Sequence, residues 1–427
     1  MQLSLDGTRF LFDGRLTYHD NADTHADARG LLMNARFIQG VFDDAADPAR
    51  FARFGHGSYD PDAQTDRLIA ALPEWHAHGL RAFTVGFQGG GPCFTTANPT
   101  IDNNPFGRRG ATIDPAYASR MDRLIRAADA AGVAVIVSFL YGDQTLRLED
   151  DRAVERAVVT ASRFLRDGGY TNCLIEIANE HDVSPFRERP IVFQPYGVAH
   201  LIRVAQRESG GVPVGCSGVG GSIRQPIVEA SDVVLVHGNG LSRQHFLNLL
   251  RQTRAWAPDR PLVCNEDSPA VSNLPVAVRE GVSWGYYNNW TKQEPPTDYA
   301  IRPGHDRYFA WRMADALGYR PDAIADDEQF FLYGLGEHEA APNMRNLDQP
   351  TRWPGLACLY PERVDRVEFL RDGRPVETCY DDPFAIGWRS NWLHHGRPAE
   401  PGTHRWEAIA HLIDGTTVTR SADVELG

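Results

Sequence analysis

Short apolar runs alternate with longer amphipathic segments through most of the chain. The apolar runs, many of them rich in β-branched residues, predict eight strands: 35–42, 81–87, 133–140, 173–178, 212–216, 233–237, 261–264 and 283–287. The segments between them place apolar residues three and four positions apart, as Leu68, Leu72 and Trp75 do, which is the spacing of a helix face. The predicted helices are 65–78, 117–131, 152–166, 198–207, 244–256 and 307–317.

Glycines mark the ends of several predicted helices, immediately before the next strand. Gly79, Gly132, Gly169 and Gly211 stand at such junctions, where a glycine lets a helix turn back toward a parallel sheet. Eight strand–helix units fit a (β/α)8 TIM barrel, a fold of about 250 residues, and predict one over residues 31–318. A doubly wound open sheet is the main alternative. It would carry a glycine-rich phosphate loop after the first strand, where the sequence has GVFDD instead.

The start of the chain follows a two-residue alternation. Asp6-Gly7 and Asp13-Gly14 are turn signals between short alternating stretches, so residues 1–30 are predicted to form a β-hairpin and a lead-in to the barrel.

The end of the chain returns to the same alternation. Residues 319–353 are acidic and irregular and predict a connector. From 354 to 427 apolar residues alternate with polar ones, and Asp372-Gly373 and Asp414-Gly415 supply two hairpin turns. This pattern predicts a small all-β sandwich.

Composition and charge narrow the classes of function. The chain has 427 residues, 42% of them hydrophobic and 23% charged, with a net charge of -13 and a pI near 5.6. An acidic protein does not neutralise phosphates, so we expect neither a nucleic-acid nor an anionic-membrane partner. Lys292 is the only lysine, which we interpret as a compositional bias toward arginine.

The cysteines and the amino terminus bear on location. None of the six cysteines forms a CxxC pair, and Cys173, Cys216 and Cys264 fall inside predicted strands, which favours a reducing compartment. No basic segment followed by an apolar run opens the chain, and no apolar run has the length of a transmembrane helix. We therefore expect a cytoplasmic protein without a membrane span.

Two strands end in the same dipeptide. The run CLIEIA ends at Asn179-Glu180, and the run PLVC ends at Asn265-Glu266. Catalytic residues of α/β barrels lie at the carboxyl ends of strands, and these would be the fourth and the seventh. Two facing carboxylates, one protonated and one charged, are the machinery of glycoside hydrolysis.

At these residues the chain resembles clan A of the glycoside hydrolases, which includes cellulase-like and β-galactosidase-like enzymes. The matching phrases are IEIANE and LVCNE, and the resemblance spans about residues 31–318. It implies a retaining hydrolase with Glu180 as the acid/base and Glu266 as the nucleophile, and no metal or other cofactor. The carboxyl-terminal segment, with VEFLRDGRPV and DGTTVTRSADVEL, resembles bacterial immunoglobulin-like modules.

The resemblance also suggests substrate-binding residues. Asn179 would bind the hydroxyl next to the anomeric carbon, His237 would lie near the nucleophile, and Trp290 would stack on a sugar ring. Tyr286 lies in the predicted eighth strand, and aromatic and amide residues follow it. It would belong to a sugar-facing wall. We add Asn239 and Asp43, which follow the sixth and first strands, as further candidates.

The sequence departs from the clan pattern in three places. Arg81 begins the second strand, where many members have an arginine late in it, with Thr84 nearer that place. His181 replaces the usual proline after the Asn-Glu pair, and the third strand ends without the common histidine. The family and the sugar therefore stay open.

Two other classes of function remain open. A metal-dependent barrel hydrolase would need several strand-end histidines with carboxylates, and no HxH motif follows the first strand. A catalytically inactive carbohydrate-binding protein is the other alternative.

A glycine run, Gly89 to Gly91, lacks the lysine of a phosphate loop and predicts a floppy rim loop.

Overall fold

The computed structural model describes most of the chain and places parallel strands and helices in its middle. The described residues are 1–47, 59–91, 98–293, 297–335, 341–343, 346–389, 392–393, 397–398 and 400–426. Three antiparallel strands open the chain: β1 (Leu3–Asp6), β2 (Arg9–Phe12) and β3 (Arg15–Leu16). The turns between them fall at the two Asp-Gly signals or directly after them.

Eight parallel strands follow at the eight predicted places. They are β4 (Asn34–Arg36), β5 (Ala82–Gly86), β6 (Ala134–Leu140), β7 (Cys173–Ala178), β8 (Val214–Gly215), β9 (Val234–His237), β10 (Leu262–Glu266) and β11 (Gly285–Tyr286). The first is shorter than predicted because the chain turns after Arg36, with Gly40 N–H donating to the Phe37 carbonyl.

These strands form two parallel ladders in the order of a barrel. One runs β11-β4-β5-β6-β7-β8 and the other pairs β10 with β9. A single bridge, Val263 with Ser283, joins β10 to the segment before β11. Between β8 and β9 the backbone bonds run from Asp232 and Val233 N–H to the Val214 carbonyl. The (β/α)8 prediction is thus confirmed for the parallel strands and their order, but the ladder does not close continuously.

Helices cover the outside of these strands. Among the described residues they are α1 (Pro61–Ala77), α2 (Pro115–Ala130), α3 (Gly142–Thr145), α4 (Asp151–Asp167), α5 (Pro190–Phe193), α6 (Pro195–Glu208), α7 (Gln225–Ala230), α8 (Arg243–Trp256), α9 (Leu274–Arg279), α10 (Asn289–Lys292) and α11 (His305–Ala316). All six predicted helices are present. The predictions missed α3, α5, α7, α9 and α10, because four or six residues are too few to show a helical period.

Prolines begin several helices where apolar periodicity placed the start later. In α1, Asp60 caps the first turn and Pro61 is the first helical residue. Asp114 and Pro115 have the same arrangement in α2. Proline suits this position because the first helical N–H groups have no partner within the helix.

The interior enclosed by the strands has two layers. Leu174, Leu235 and Val263 lie near the amino ends of their strands in an apolar cluster. The amino-terminal sheet closes this end, with Leu3 and Phe10 in the same cluster. Further along β7, β9 and β10, the interior positions carry polar side chains, described below. A larger apolar cluster fills the space between strands and helices.

The carboxyl-terminal part of the chain is all β. Its strands are β12 (Phe330–Tyr333), β13 (Ala341–Asn343), β14 (Asn346–Arg352), β15 (Gly355–Cys358), β16 (Val364–Arg371), β17 (Arg374–Cys379), β18 (Phe384–Ala385), β19 (Trp388–Arg389), β20 (Trp392–Leu393), β21 (Arg397–Pro398), β22 (Gly402–Leu412) and β23 (Thr417–Leu426). The sheet β17-β16-β22-β23 and the sheet β12-β15-β18 contribute to one apolar core. The predicted turns at Asp372-Gly373 and Asp414-Gly415 join adjacent strands. Strands β12, β13 and β14 lie inside the segment that was expected to be an irregular connector. Strand β12 pairs antiparallel with β15, β13 with β14, and β14 with β21.

The segment after β5 differs from the predicted floppy loop. Gly89, Gly90 and Gly91 are buried, and their carbonyls accept hydrogen bonds from Asn103, Gln39 and Gln293. A Cβ on Gly90 would lie 2.5 Å from Gln293 Nε2 and 2.6 Å from the Tyr141 ring. The glycines permit this close approach, so the prediction is wrong for these three residues.

Two prolines follow β7 in the chain. A 3-10 turn at Ser184–Glu188 contains Pro185, and α5 begins at Pro190. Both prolines occupy first-turn positions, where they are tolerated.

The five described cysteines are buried and free, and Cys93 lies outside the described residues. In the part of the chain that the structure describes, no helix has the length and hydrophobicity needed to cross a membrane.

Candidate active site

Strand β7 supplies two glutamates on the interior side. Glu176 is fully buried and accepts hydrogen bonds from Ser217 Oγ at 2.7 Å and Asn265 Nδ2 at 2.9 Å. Glu180 follows the strand in a left-handed backbone conformation with φ of 51°, and its N–H donates to Ser217 Oγ. Non-glycine residues rarely adopt this conformation, and functional sites are where it concentrates. The Glu180 side chain is 21% exposed, whereas Glu176 has no exposed surface.

Strand β10 brings Glu266 to the same interior through a β-bulge. Cys264 pairs with Val236 and Glu266 pairs with His237, which leaves Asn265 as the extra residue. Consecutive residues of a regular strand point to opposite faces, and a bulge removes that alternation. Asn265 and Glu266 therefore both point inward, toward Glu176 and toward the end of the barrel where Glu180 lies.

Arg36, the last residue of β4, neutralises the nucleophile candidate. Its Nε lies 2.7 Å from Glu266 Oε2, and its Nη1 lies 3.9 Å from Glu176 Oε2. The guanidinium is 1% exposed and lies 5.6 Å from the Tyr287 ring centroid. Burial alone would lower the pKa of Arg36, but Glu266 and Glu176 outweigh it and raise that pKa, so the charge is secure.

His237 ends β9 and lies among three carboxylates. Its Nδ1 is 3.1 Å from Glu180 Oε1 and 3.8 Å from Glu266 Oε2, and its Nε2 is 3.9 Å from Glu176 Oε1. Burial acts to lower the pKa of His237, but Glu266, Glu180 and Glu176 together raise it. The surroundings of this fully buried ring therefore favour the imidazolium form.

Glu266 has protein donors on both carboxylate oxygens. Asn239 Nδ2 donates to Oε1 at 2.8 Å, and Arg36 Nε donates to Oε2. The pKa of Glu266 is raised overall, because the effect of burial outweighs those of Arg36 and His237, which lower it. The two donors, Arg36 and Asn239, fix the orientation of the carboxylate and favour its charged form.

The structure brings together Glu180, Glu266, His237 and Asn239 from the predicted site. Asn179 lies beside them, 6% exposed, and its amide oxygen has no protein partner among the described residues. The amide oxygen of Asn239 is likewise buried without a protein partner in the described part of the chain. Both amides thus keep an acceptor that a hydroxyl group could use.

Two predicted binding residues, Tyr286 and Asp43, contact other elements. The ring of Tyr286 is fully buried, stacks on Phe309 of α11 at 4.5 Å, and its hydroxyl donates to Asp306. In a two-residue strand the sequence does not reveal which face each residue takes, and Tyr286 takes the helix side. Asp43 lies 3.5 Å from Arg120 of α2. The backbone of Trp290 belongs to α10, but its side chain is outside the described residues.

Arg36 and Glu176 are the residues that sequence reasoning missed. The clan pattern suggested an arginine on the second strand, whereas Arg36 ends the first. Arg36 stands at a strand end, as the two glutamates do, and this position was the available sign of its role in the sequence. Glu176 had been noted only as part of the IEIANE phrase, which does not reveal its burial.

Glu180, His237 and Glu266 also offer one ligand atom each within 4.8 Å of one another, an arrangement that could hold a metal ion. Arg36 Nε already lies 2.7 Å from Glu266 Oε2. A divalent cation at this place would meet the guanidinium charge and would compete with it for the same oxygen.

No protein-family profile and no curated protein matches the chain. Its structural neighbours are glycoside hydrolases. A glycoside hydrolase candidate from Bacteroides vulgatus superposes with a TM-score of 0.50 at 10% identity, over 99% of this chain and 82% of that one. The likeness shows that this chain shares the fold of that protein.

Two further neighbours superpose less closely. An endo-β-1,4-mannanase from Thermotoga petrophila has a TM-score of 0.46 at 12% identity, over 93% of this chain and 97% of that one. A β-glucuronidase from Bacteroides uniformis has a TM-score of 0.45 at 12% identity, and the chain, covered in full, spans about half of its length, 48%.

Proposed function

We propose that the protein is a retaining glycoside hydrolase that cleaves O-glycosidic bonds of an oligosaccharide or glycoside. The observation that carries the proposal is the pair of strand-end glutamates in one buried, donor-rich cluster. A carboxylate oxygen of Glu180 and one of Glu266 lie within 4.8 Å of each other. Retaining enzymes hold their carboxyl groups about 5–5.5 Å apart, and inverting enzymes need about 6.5–9.5 Å to admit a water molecule. The separation supports the retaining mechanism.

The surroundings of each glutamate support its role. Glu266, fixed by Arg36 and Asn239, attacks the anomeric carbon as a carboxylate and forms a covalent glycosyl-enzyme. Glu180, the more exposed of the two, donates its proton to the leaving oxygen. It then removes a proton from the incoming water, which releases the sugar with its original configuration. Asn179 and Asn239 offer amide oxygens to the sugar hydroxyls.

The closed (β/α)8 barrel and the immunoglobulin-like character of the carboxyl-terminal sheets belong to the same proposal. The strand order and the shared core of the two antiparallel sheets support them. We propose that the β-module stabilises the barrel and takes no part in catalysis. Tyr308 of α11 shares an apolar cluster with Ala357 of β15, the strand that pairs with β12.

Azide rescue tests the assignment of the two glutamates. A panel of nitrophenyl glycosides first identifies a substrate. Glu266→Ala abolishes its hydrolysis, and azide restores turnover with the opposite anomeric configuration, because azide attacks from the face that Glu266 has vacated. Glu180→Ala is rescued with retention, and substrates with good leaving groups lose least.

The same panel separates the alternatives. A carbohydrate-binding protein without catalysis binds a sugar and hydrolyses none of the glycosides. A metal-dependent hydrolase, the alternative that the cluster of Glu180, His237 and Glu266 would favour, loses activity on chelation and regains it with a divalent ion. Retaining hydrolysis that is unaffected by chelation supports the two-glutamate mechanism and contradicts both.

A further inference from the structure

A third carboxylate lies directly beneath the two glutamates of the proposed mechanism. Glu176 is fully buried, and the hydrogen bonds that it accepts come from Ser217 and Asn265. Both donors are neutral. They position the carboxylate but do not balance its charge, and a buried charge needs an opposite charge nearby.

Two cations lie close enough to supply that balance. Arg36 Nη1 is 3.9 Å from Glu176 Oε2, but Arg36 Nε is committed to Glu266 at 2.7 Å. His237 Nε2 is 3.9 Å from Glu176 Oε1. If Arg36 balances Glu266, His237 is the group left to balance Glu176.

Charge counting gives the same assignment. Before the first chemical step Glu266 must be charged and Glu180 protonated. With Arg36 positive and Glu176 negative, a neutral His237 leaves the cluster with one uncompensated negative charge. An imidazolium at His237 brings the net charge to zero, which is the less costly arrangement for a buried cluster.

We propose that Glu176 is a positioning residue that keeps His237 in the imidazolium form, so that Nδ1 donates a hydrogen bond to Glu180 throughout the reaction. This inference rests on the proposed function and deepens it. When Glu180 passes its proton to the leaving oxygen it becomes a carboxylate, and the imidazolium 3.1 Å away stabilises the new charge. Glu176 forms and breaks no bond.

The groups facing His237 are accounted for within the described residues. Glu176 and Glu180 approach from β7 and the loop after it, Glu266 approaches from β10, and Arg36 of β4 lies beyond Glu266. The pKa of His237 is raised against the effect of burial, as three surrounding carboxylates require.

The test follows the titration of His237 by NMR in histidine-labelled protein, with its signal assigned by its loss in His237→Gln. In Glu176→Gln the midpoint falls by about 1 pH unit or more, since a negative charge near the ring has been removed. The basic limb of the kcat/KM profile moves to lower pH with it. Activity at pH 7 drops roughly tenfold and recovers as the pH is lowered.

Ser217→Ala is the matched control. It removes a hydrogen bond to the same carboxylate, together with the acceptor of the Glu180 N–H, but it keeps the charge of Glu176. It therefore lowers activity at all pH values and leaves the His237 midpoint in place. An unchanged midpoint in Glu176→Gln, or an equal shift in Ser217→Ala, overturns the inference. If Glu176→Gln does not fold, the wild-type spectrum decides, because a neutral His237 ring at pH 7 also contradicts the proposal.

The two proposals fail in different ways. The NMR titration needs no substrate, so a lowered midpoint in a protein that hydrolyses no glycoside contradicts only the proposed function. Retaining hydrolysis with an unmoved midpoint contradicts only the role of Glu176.

Discussion

The two layers of the barrel interior are built from the same strands and have opposite chemistry. In β7 an apolar Leu174 is followed two residues later by Glu176, and in β9 Leu235 is followed by His237. The lower layer is closed by the amino-terminal sheet and packs as an ordinary core. The upper layer holds buried charges that bind one another. Within one strand, residues near the amino end thus belong to the apolar layer, and residues near the carboxyl end belong to the charged layer.

The two layers differ in how burial affects their stability. The apolar layer gains stability by removing hydrocarbon from water. The charged layer loses hydration, and hydrogen bonds and opposite charges must compensate that loss. Variants in the upper layer should therefore change catalysis and stability together, whereas variants in the lower layer should change stability alone.

The largest effect is expected for Arg36→Met, which leaves Glu266 without the guanidinium that balances its charge. Hydrolysis should fall by about 10²-fold or more, and the free energy of unfolding by about 3–5 kcal/mol. Steady-state kinetics and urea denaturation measure the two. Arg81→Met is the control, because Arg81 is similarly buried but lies directly before β5, at the opposite end of the barrel. Equal losses of turnover in the two folded variants would show that Arg36 has no special role.

A smaller effect, confined to stability, is expected for Leu174→Ala in the lower layer. The cavity should lower the free energy of unfolding by about 2–5 kcal/mol. The folded variant should keep turnover within a few-fold of the wild type. A large loss of turnover in a protein that circular dichroism shows to be folded would mean that the layers do not act separately.

A further effect, on the pH dependence of stability alone, concerns Asp267, the residue after Glu266, which points away from the cluster toward Asn273 and Trp284. Burial raises its pKa from 3.8 to about 7. Between these values the folded protein holds a proton that the unfolded chain has lost. The contribution to stability is therefore present at low pH and is lost as the pH rises through that window. Urea denaturation of Asp267→Asn from pH 4 to pH 8 should lack this decline.

His305 supplies a control of opposite sign. Burial lowers the pKa of His305 from 6.5 to about 4, so its contribution to stability is lost as the pH falls through that window. His305→Gln should flatten the acid side of the stability profile. If the free energy of unfolding changed with pH in the same way in Asp267→Asn and in His305→Gln, these assignments would be contradicted.

The sequence predicted the strands and the two glutamates because both signals are local. A β-branched run that stops at Asn-Glu marks a strand end without knowledge of the fold, and β7 was predicted with its observed bounds. The missed features depend on register and distance. The bulge at Asn265 leaves no mark in a short apolar run, yet it decides that Asn265 points toward Glu176.

Arg36 and Tyr286 show the same limit. Arg36 gains its role from Glu266 of β10, which lies far along the chain and comes close to Arg36 only in the folded protein. Tyr286 was expected to face the sugar, but alternation in a two-residue strand depends on its pairing with β4. Neither role could be predicted from neighbouring residues.

Proton NMR of the first-formed product tests the central claim most directly. The wild-type enzyme, given the best glycoside from the panel, should release a sugar with the anomeric configuration of the substrate before mutarotation sets in. That result would follow from Glu266 acting as a nucleophile within 4.8 Å of Glu180. Initial release of the inverted anomer would contradict it.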